Sequence, residues 1–223
     1  QDRGRAPGTV TPPASEAAPT LTVALDLRHP FSYLALEPTA AFVDETGVRV
    51  DWLPVRGQTL RPPSTAAADD DRSIRHRRAR ARMVAREIAV YSAAQGLELV
   101  SPYRDGPTDA VELAWLWARE HDPGSLARLL PEIFRRYWSG ALDPTRPEEV
   151  KPILQDSGCK VSAFEAWLET ASEGSRDAAA TTLADMGVNQ GPAYVLDGEV
   201  FYGRQHLPML RWILNGRTGP GPI

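Results

Sequence analysis

Few residues of this 223-residue chain have the type and spacing to do chemistry. Its one cysteine, Cys159, excludes a CxxC dithiol pair, a disulfide framework and a multi-thiolate zinc site within the chain. It follows a Ser157-Gly158 turn and reads as an incidental thiol. The four histidines, His29, His76, His121 and His206, show neither HxxxH nor HExxH spacing, so no metal site is expected. No Ser-His-Asp arrangement, phosphate-cradling glycine loop or dinucleotide fingerprint appears. What stands out is the junction Asp26-Leu-Arg-His-Pro-Phe-Ser32, where an apolar run meets a helix opened by proline. A helix N-terminus presents unpaired N–H groups and a partial positive charge. It stabilises a thiolate there, whether the protein's own or a ligand's. His29 at that point could accept a thiol proton as neutral imidazole, hold a thiolate as imidazolium, or shuttle a substrate proton. The helix end is expected to lower its pKa, which favours the neutral base. Ser32, three positions on, is a second candidate donor. The competing reading is that His29 only caps the turn by hydrogen bonding, in a site without a catalyst.

These residues need elements to hold them. The apolar run at 21–27 reads as a buried strand. Pro30 then suits the first turn of a helix over 31–45, stopped near Gly47. Residues 48–55 alternate apolar and polar and read as a second strand, so strand, helix and strand make a parallel βαβ unit. A loop with Pro62-Pro63 leads to a helical block. Its helices are expected at 74–95, with Met83, Val84, Ile88 and Val90 on an apolar side and Gly96 as the stop, and at 108–121, 125–139, 147–156 and 162–186. Arg75, Arg78, Arg82 and Arg86 share one helix face, read as solvated rather than as an anion site. After the block, a strand at 191–197 turns through Asp197-Gly198 into a strand at 199–202. A helix over 206–215 closes the chain.

Net charge is −4 and hydrophobic residues make up 42%, so a core can form and no nucleic-acid partner is expected. No apolar run reaches the roughly 18 residues that span a bilayer, so no membrane partner is expected either. The chain begins at Gln1 without Met, which reads as processing. A cytoplasmic location is favoured, and an exported form with its signal removed stays open. Residues 1–20 and 216–223 read as flexible arms, 21–71 with 187–215 as one α/β domain, and 72–186 as a helical insertion.

The order βαβ, helices, ββα, with a proline opening the third strand, resembles the thioredoxin plan with a large all-helical insertion. Residues Asp26 to Leu34 resemble the first strand-to-helix junction of the 2-hydroxychromene-2-carboxylate isomerases and kappa-class glutathione transferases, a branch of the DsbA-like superfamily. The run Gly187-Val-Asn-Gln-Gly-Pro-Ala-Tyr-Val-Leu-Asp-Gly-Glu-Val-Phe-Tyr-Gly203 is similar to the C-terminal segment of the same family, as is the start His206-Leu-Pro-Met-Leu210. The Arg/Ala-rich stretch 78–97, ending at Gly96-Leu97, resembles its middle helix.

The resemblance implies glutathione as cofactor, a small aromatic or acidic substrate, and a homodimer by analogy. It implies a cis bond before Pro192, with Gly191 pairing an extended cysteinyl peptide such as glutathione. Phe31, Gln190, Gly191, Pro192, Arg204 and Gln205 are then the expected binding set, with His29 and Ser32 as the catalytic candidates. Two departures stand out. Where the family carries Ser-Pro-Tyr-x-Tyr, and its disulfide oxidoreductase cousins a cysteine, this chain carries His29. Where glutathione binders carry an acid for the γ-glutamyl amine, it carries Gln205, beside Arg204, which suits a carboxylate ligand or is simply solvated. Tyr33 is expected under the first helix. Trp115, Trp117, Phe134, Tyr137 and Trp138 are expected in the core, unless one or two roof the cleft. Two functions follow: a glutathione-dependent isomerase or transferase-like enzyme, or a non-catalytic binding or scaffold protein that keeps the cleft.

Overall fold

The computed structural model describes residues 19–65 and 71–222; the arm expected at 1–20 lies almost wholly outside them. Strand β1, Thr20–Leu25, is buried from Leu21 onward, as a continuous apolar run demands when both faces of a strand are covered. Helix α1, Pro30–Thr46, opens with its proline where a missing N–H costs nothing. It ends at Gly47, whose φ of 65° is the left-handed conformation glycine adopts freely. Strand β2, Arg49–Pro54, runs parallel to β1 with Leu21 opposite Val50. Strands β3, Ala193–Leu196, and β4, Glu199–Tyr202, form the expected hairpin. Its turn residues Asp197 and Gly198 have φ of 52° and 80°, the pairing of positive angles that a two-residue hairpin favours. β3 is antiparallel to β1, giving the thioredoxin-like sheet order β2-β1-β3-β4.

Between β2 and β3 lie α2, Arg72–Gln95; α3, Asp109–His121; α4, Leu126–Ser139; α5, Pro147–Asp156; α6, Phe164–Thr170; and α7, Ser172–Asp185. Helix α8, Leu207–Leu214, follows β4 after a 3-10 turn. The single helix expected over 162–186 is two, broken at Ala171. Trp167 and Leu183 are both buried, yet sixteen positions on one continuous helix would set them about 160° apart. A change of axis buries both.

The five aromatic side chains of the insertion that were expected in the core are there. Trp115, Trp117, Phe134, Tyr137 and Trp138 are at most 4% exposed, and Tyr33 stacks on Trp138 beneath α1. None of them roofs the cleft described below. The Trp115 indole N–H donates to the Trp52 carbonyl at 3.1 Å, and Arg119 makes a two-point ion pair with Asp51, so α3 is fastened to β2.

Helix α2 departs from its sequence reading. Only Arg78 and Ile88 are buried on it, while Met83 and Val90 are 72% and 60% exposed. Met83 lies five positions from Ile88, about 140° around the helix, so the apolar side as read merged two faces. Arg78 is not solvated either. Its guanidinium donates to the Ser64 and Thr65 carbonyls at 2.9 and 2.7 Å, tying the preceding loop to the helix. No helix among the described residues is long and apolar enough to cross a membrane, and no three His, Cys, Asp or Glu side chains gather there as metal ligands would.

Candidate functional site

The junction after β1 is locked by one carboxylate. Asp26 is 2% exposed and accepts four hydrogen bonds. They come from the Arg28 backbone N–H at 2.9 Å, Arg28 Nε and Nη2 at 3.1 and 3.0 Å, and the Gly57 N–H at 2.7 Å. A buried charge persists only with such partners. Arg28 in turn donates to the Gly57 carbonyl, so the loop after β2 is drawn to the same point. The His29 N–H donates to the Asp26 carbonyl at 3.0 Å, which fixes the turn.

Ser32 belongs to this lock. It is fully buried, and its Oγ accepts the Asp26 N–H at 3.0 Å. The expectation that Ser32 donates into the cleft is therefore corrected: a strand-end N–H needed an acceptor, and the first turn of α1 supplied it.

A cleft of about 460 Å³ lies beside the junction. His29, Phe31, Gln190, Gly191, Pro192, Arg204 and Gln205 all line it, which is every expected site residue except Ser32. The Gly191–Pro192 bond is cis. Gly191 allows the close approach of this segment to β1, since a Cβ there would sit 2.7 Å from the Asp26 nitrogen and 2.9 Å from the Ala24 carbonyl oxygen. The Gly203 N–H donates to the Pro192 carbonyl at 2.9 Å, which joins the end of β4 to the same wall.

His29 does not cap its helix: its side chain makes no capping bond. Its Nδ1 is buried and has no hydrogen-bond partner among the described residues. The ring stacks on Phe31 at 5.7 Å between centroids. Its pKa is lowered, first by desolvation, with the Asp26 charge opposing and the Arg28 charge reinforcing the shift. The direction is the expected one, and burial is its main cause. His29 is thus a neutral imidazole at pH 7.

The other polar residues are more engaged than their sequence suggests. Arg204 donates to the Leu34 carbonyl at 3.0 Å and lies 3.9 Å over the Tyr91 ring, so it is neither solvated nor wholly free for an anion. The Gln205 amide donates back to the Tyr202 carbonyl at 2.9 Å. Cys159 is buried elsewhere, its thiol pKa pushed up by desolvation. The cleft therefore offers a neutral base, a helix N-terminus, an apolar wall of Phe31 and Pro192, and no nucleophilic serine or cysteine of its own.

Three lining residues escaped sequence reasoning: Glu87, Tyr202 and Gly203. Tyr202 and Gly203 close the segment that carries the family likeness, and the adjacent Arg204 was a sufficient signal for them. Glu87 had none, because its presence depends on where α2 crosses the cleft.

No curated protein matches the chain. Solved structures do. A 2-hydroxychromene-2-carboxylate isomerase aligns over 89% of this chain and 95% of its own at 18% identity, with a TM-score of 0.66. A probable DsbA oxidoreductase from Streptomyces coelicolor aligns over 92% and 93% at 18% identity, with a TM-score of 0.64. The cytosolic disulfide reductase DsbM from Pseudomonas aeruginosa, in its structure with GSH, aligns over 89% and 98% at 19% identity, with a TM-score of 0.57. At these identities the likeness establishes the thioredoxin-like fold. The family model described as the DSBA-like thioredoxin domain matches residues 20–215, which span every strand and helix above, and the chain belongs to that family.

Proposed function

We propose that this chain is a glutathione-dependent isomerase or transferase-like protein, in which His29 stands where relatives use serine or cysteine, and that it carries out no dithiol–disulfide exchange. The observation that carries the reading is a neutral His29 lining a ligand-sized cleft bounded by Gly191 and Pro192. The likeness to a 2-hydroxychromene-2-carboxylate isomerase and to a DsbM structure with GSH supports the choice of ligand. A free thiol has a pKa of about 8.5. A His29 titrating below 6.5 therefore accepts a hydrogen bond from the thiol rather than taking its proton outright. The α1 N-terminus supplies the partial positive charge that favours the thiolate. Gly191 and Pro192 would align the peptide, and Phe31 would flank it.

The fit is good at the thiol end and weaker at the γ-glutamyl end, where the Gln205 amide turns back to Tyr202. That feature favours the second reading, a non-catalytic binding or scaffold protein. Isothermal titration with glutathione, on the wild type and on His29→Ala, separates the two. Saturable binding weakened about tenfold or more in the variant, the worth of one good buried hydrogen bond, supports the first reading. Absence of binding at millimolar glutathione ends it and leaves the scaffold.

A further inference from the structure

A second and larger cavity, of about 600 Å³, opens beside the first: Asn189 lines it, while the next residue, Gln190, lines the cleft. Its walls are the end of β2, α3 and α7. The lining is mostly apolar, with Val55, Leu116, Ala179, Leu183 and Val188. Two guanidiniums, Arg56 and Arg176, also border it. The two cations converge, since Arg56 Nη2 and Arg176 Nη2 lie 3.0 and 3.2 Å from the same Oδ1 of Asp109.

The carboxylates at this end are already engaged. Glu112 accepts Arg56 Nε at 2.7 and 2.9 Å and also the Thr108 hydroxyl. The unmet demand is for an acceptor: the Arg176 side chain is 40% exposed, only its Nη2 pairs with Asp109, and its Nε has no partner among the described residues. A cation would find the acidic groups occupied. A fully polar ligand would leave the apolar walls wet. A volume of this size suits a small organic molecule, and a guanidinium edge matches a carboxylate in shape and charge.

We infer that this cavity is a binding site for a small amphipathic monocarboxylate, with its apolar body between α3 and α7 and its carboxylate on Arg176. The site is independent of the cleft, and nothing in it involves His29.

Octanoate and its neutral analogue octanol test the assignment by isothermal titration against the full chain. The wild type is expected to bind octanoate saturably. Arg176→Gln is expected to weaken octanoate about tenfold, the worth of one charge-assisted hydrogen bond, and to leave octanol unchanged. Ala180→Phe fills the cavity from the exposed side of α7 and is expected to abolish binding of both, with an unchanged melting temperature. His29→Ala is expected to leave octanoate binding intact, whether or not glutathione binds. No saturation at millimolar octanoate, equal affinity in wild type and Ala180→Phe, or loss of octanoate binding in His29→Ala would each overturn the inference.

Discussion

Gly191→Ala is the sharpest test of how the cleft is built. The added Cβ would meet three backbone atoms: Asp26 N at 2.7 Å, the Ala24 carbonyl oxygen at 2.9 Å and Leu25 Cα at 3.0 Å. None of these is the end of a flexible side chain, so the strain cannot be relieved by a rotamer change. To bring the closest contact from 2.7 Å to the 3.4 Å at which ordinary van der Waals contact begins, β1 and the 191–192 segment must separate by about 0.7 Å. Overpacking of this kind costs about 2 kcal/mol, within a usual range of about 1–3. For a chain of this length that is a fall in melting temperature of roughly 4–8 °C. The displaced atom is Asp26 N, whose hydrogen goes to Ser32 Oγ, so the shift is transmitted to the first turn of α1 and to His29. Urea denaturation should show a lower midpoint at constant slope, and glutathione binding should fall in the same variant. If Gly191→Ala unfolds at the wild-type midpoint and binds glutathione with wild-type affinity, this segment does not abut β1 as described, and the reasoning fails.

Asp26→Asn replaces a buried charge that accepts four N–H groups, and it leaves the 12%-exposed Arg28 side chain with only the 67%-exposed Asp105, at 3.5 Å, as counter-charge. The expected loss is on the order of 3 kcal/mol, read by denaturation at pH 7. The same variant should lower the His29 pKa further in an NMR titration, because the Asp26 charge is the influence that raises it. His29 also sets a pH dependence. Its folded pKa lies below the ordinary histidine value of 6.5, so the unfolded chain takes up this proton first as pH falls. Its contribution to stability is therefore full above pH 6.5 and declines toward the folded value; His29→Phe should flatten that slope in denaturation curves between about pH 5 and 7.

The parts of the site that were legible in the sequence lie on two continuous segments, 26–34 and 187–205. There, neighbours in sequence are neighbours in space: a proline at a helix start, a Gly-Pro before a strand and an Asp-Gly turn each constrain the backbone locally. Helix ends were legible for the same reason, with Gly47 and Gly96 both left-handed where a stop was expected. Partner choice was not legible. Ser32 stands three residues from His29 in either account, but whether its hydroxyl faces the cleft depends on the Asp26 N–H needing an acceptor. Arg204 looked free until α2 set Tyr91 against it, more than a hundred positions away in sequence. Glu87 reaches the cleft by the same crossing. α2 has few buried residues, so its hydrophobic pattern did not fix which side faces the sheet domain.

If His29 stands where relatives use a nucleophile or thiol-handling serine, as proposed above, the electrostatics of the cleft differ from theirs in a definite direction. A protonated imidazole at a helix N-terminus would add positive charge where the dipole is already positive, and burial penalises that charge again. The neutral form prevails, so His29 brings no cation to a bound thiolate. Arg28 brings little, since Asp26 neutralises it at 3.0 Å, and Arg204 is held by the Leu34 carbonyl and the Tyr91 ring. The positive potential that remains belongs to the N–H groups of α1 itself, beginning with Phe31, because Pro30 has none. A ligand thiol in this cleft therefore meets a hydrogen-bond acceptor and a helix dipole, not an ion pair. Catalysis by such a site depends on how far the dipole alone lowers the thiol pKa from about 8.5. A bound thiol left at its free value would make the cleft a receptor for glutathione and not an enzyme that activates it.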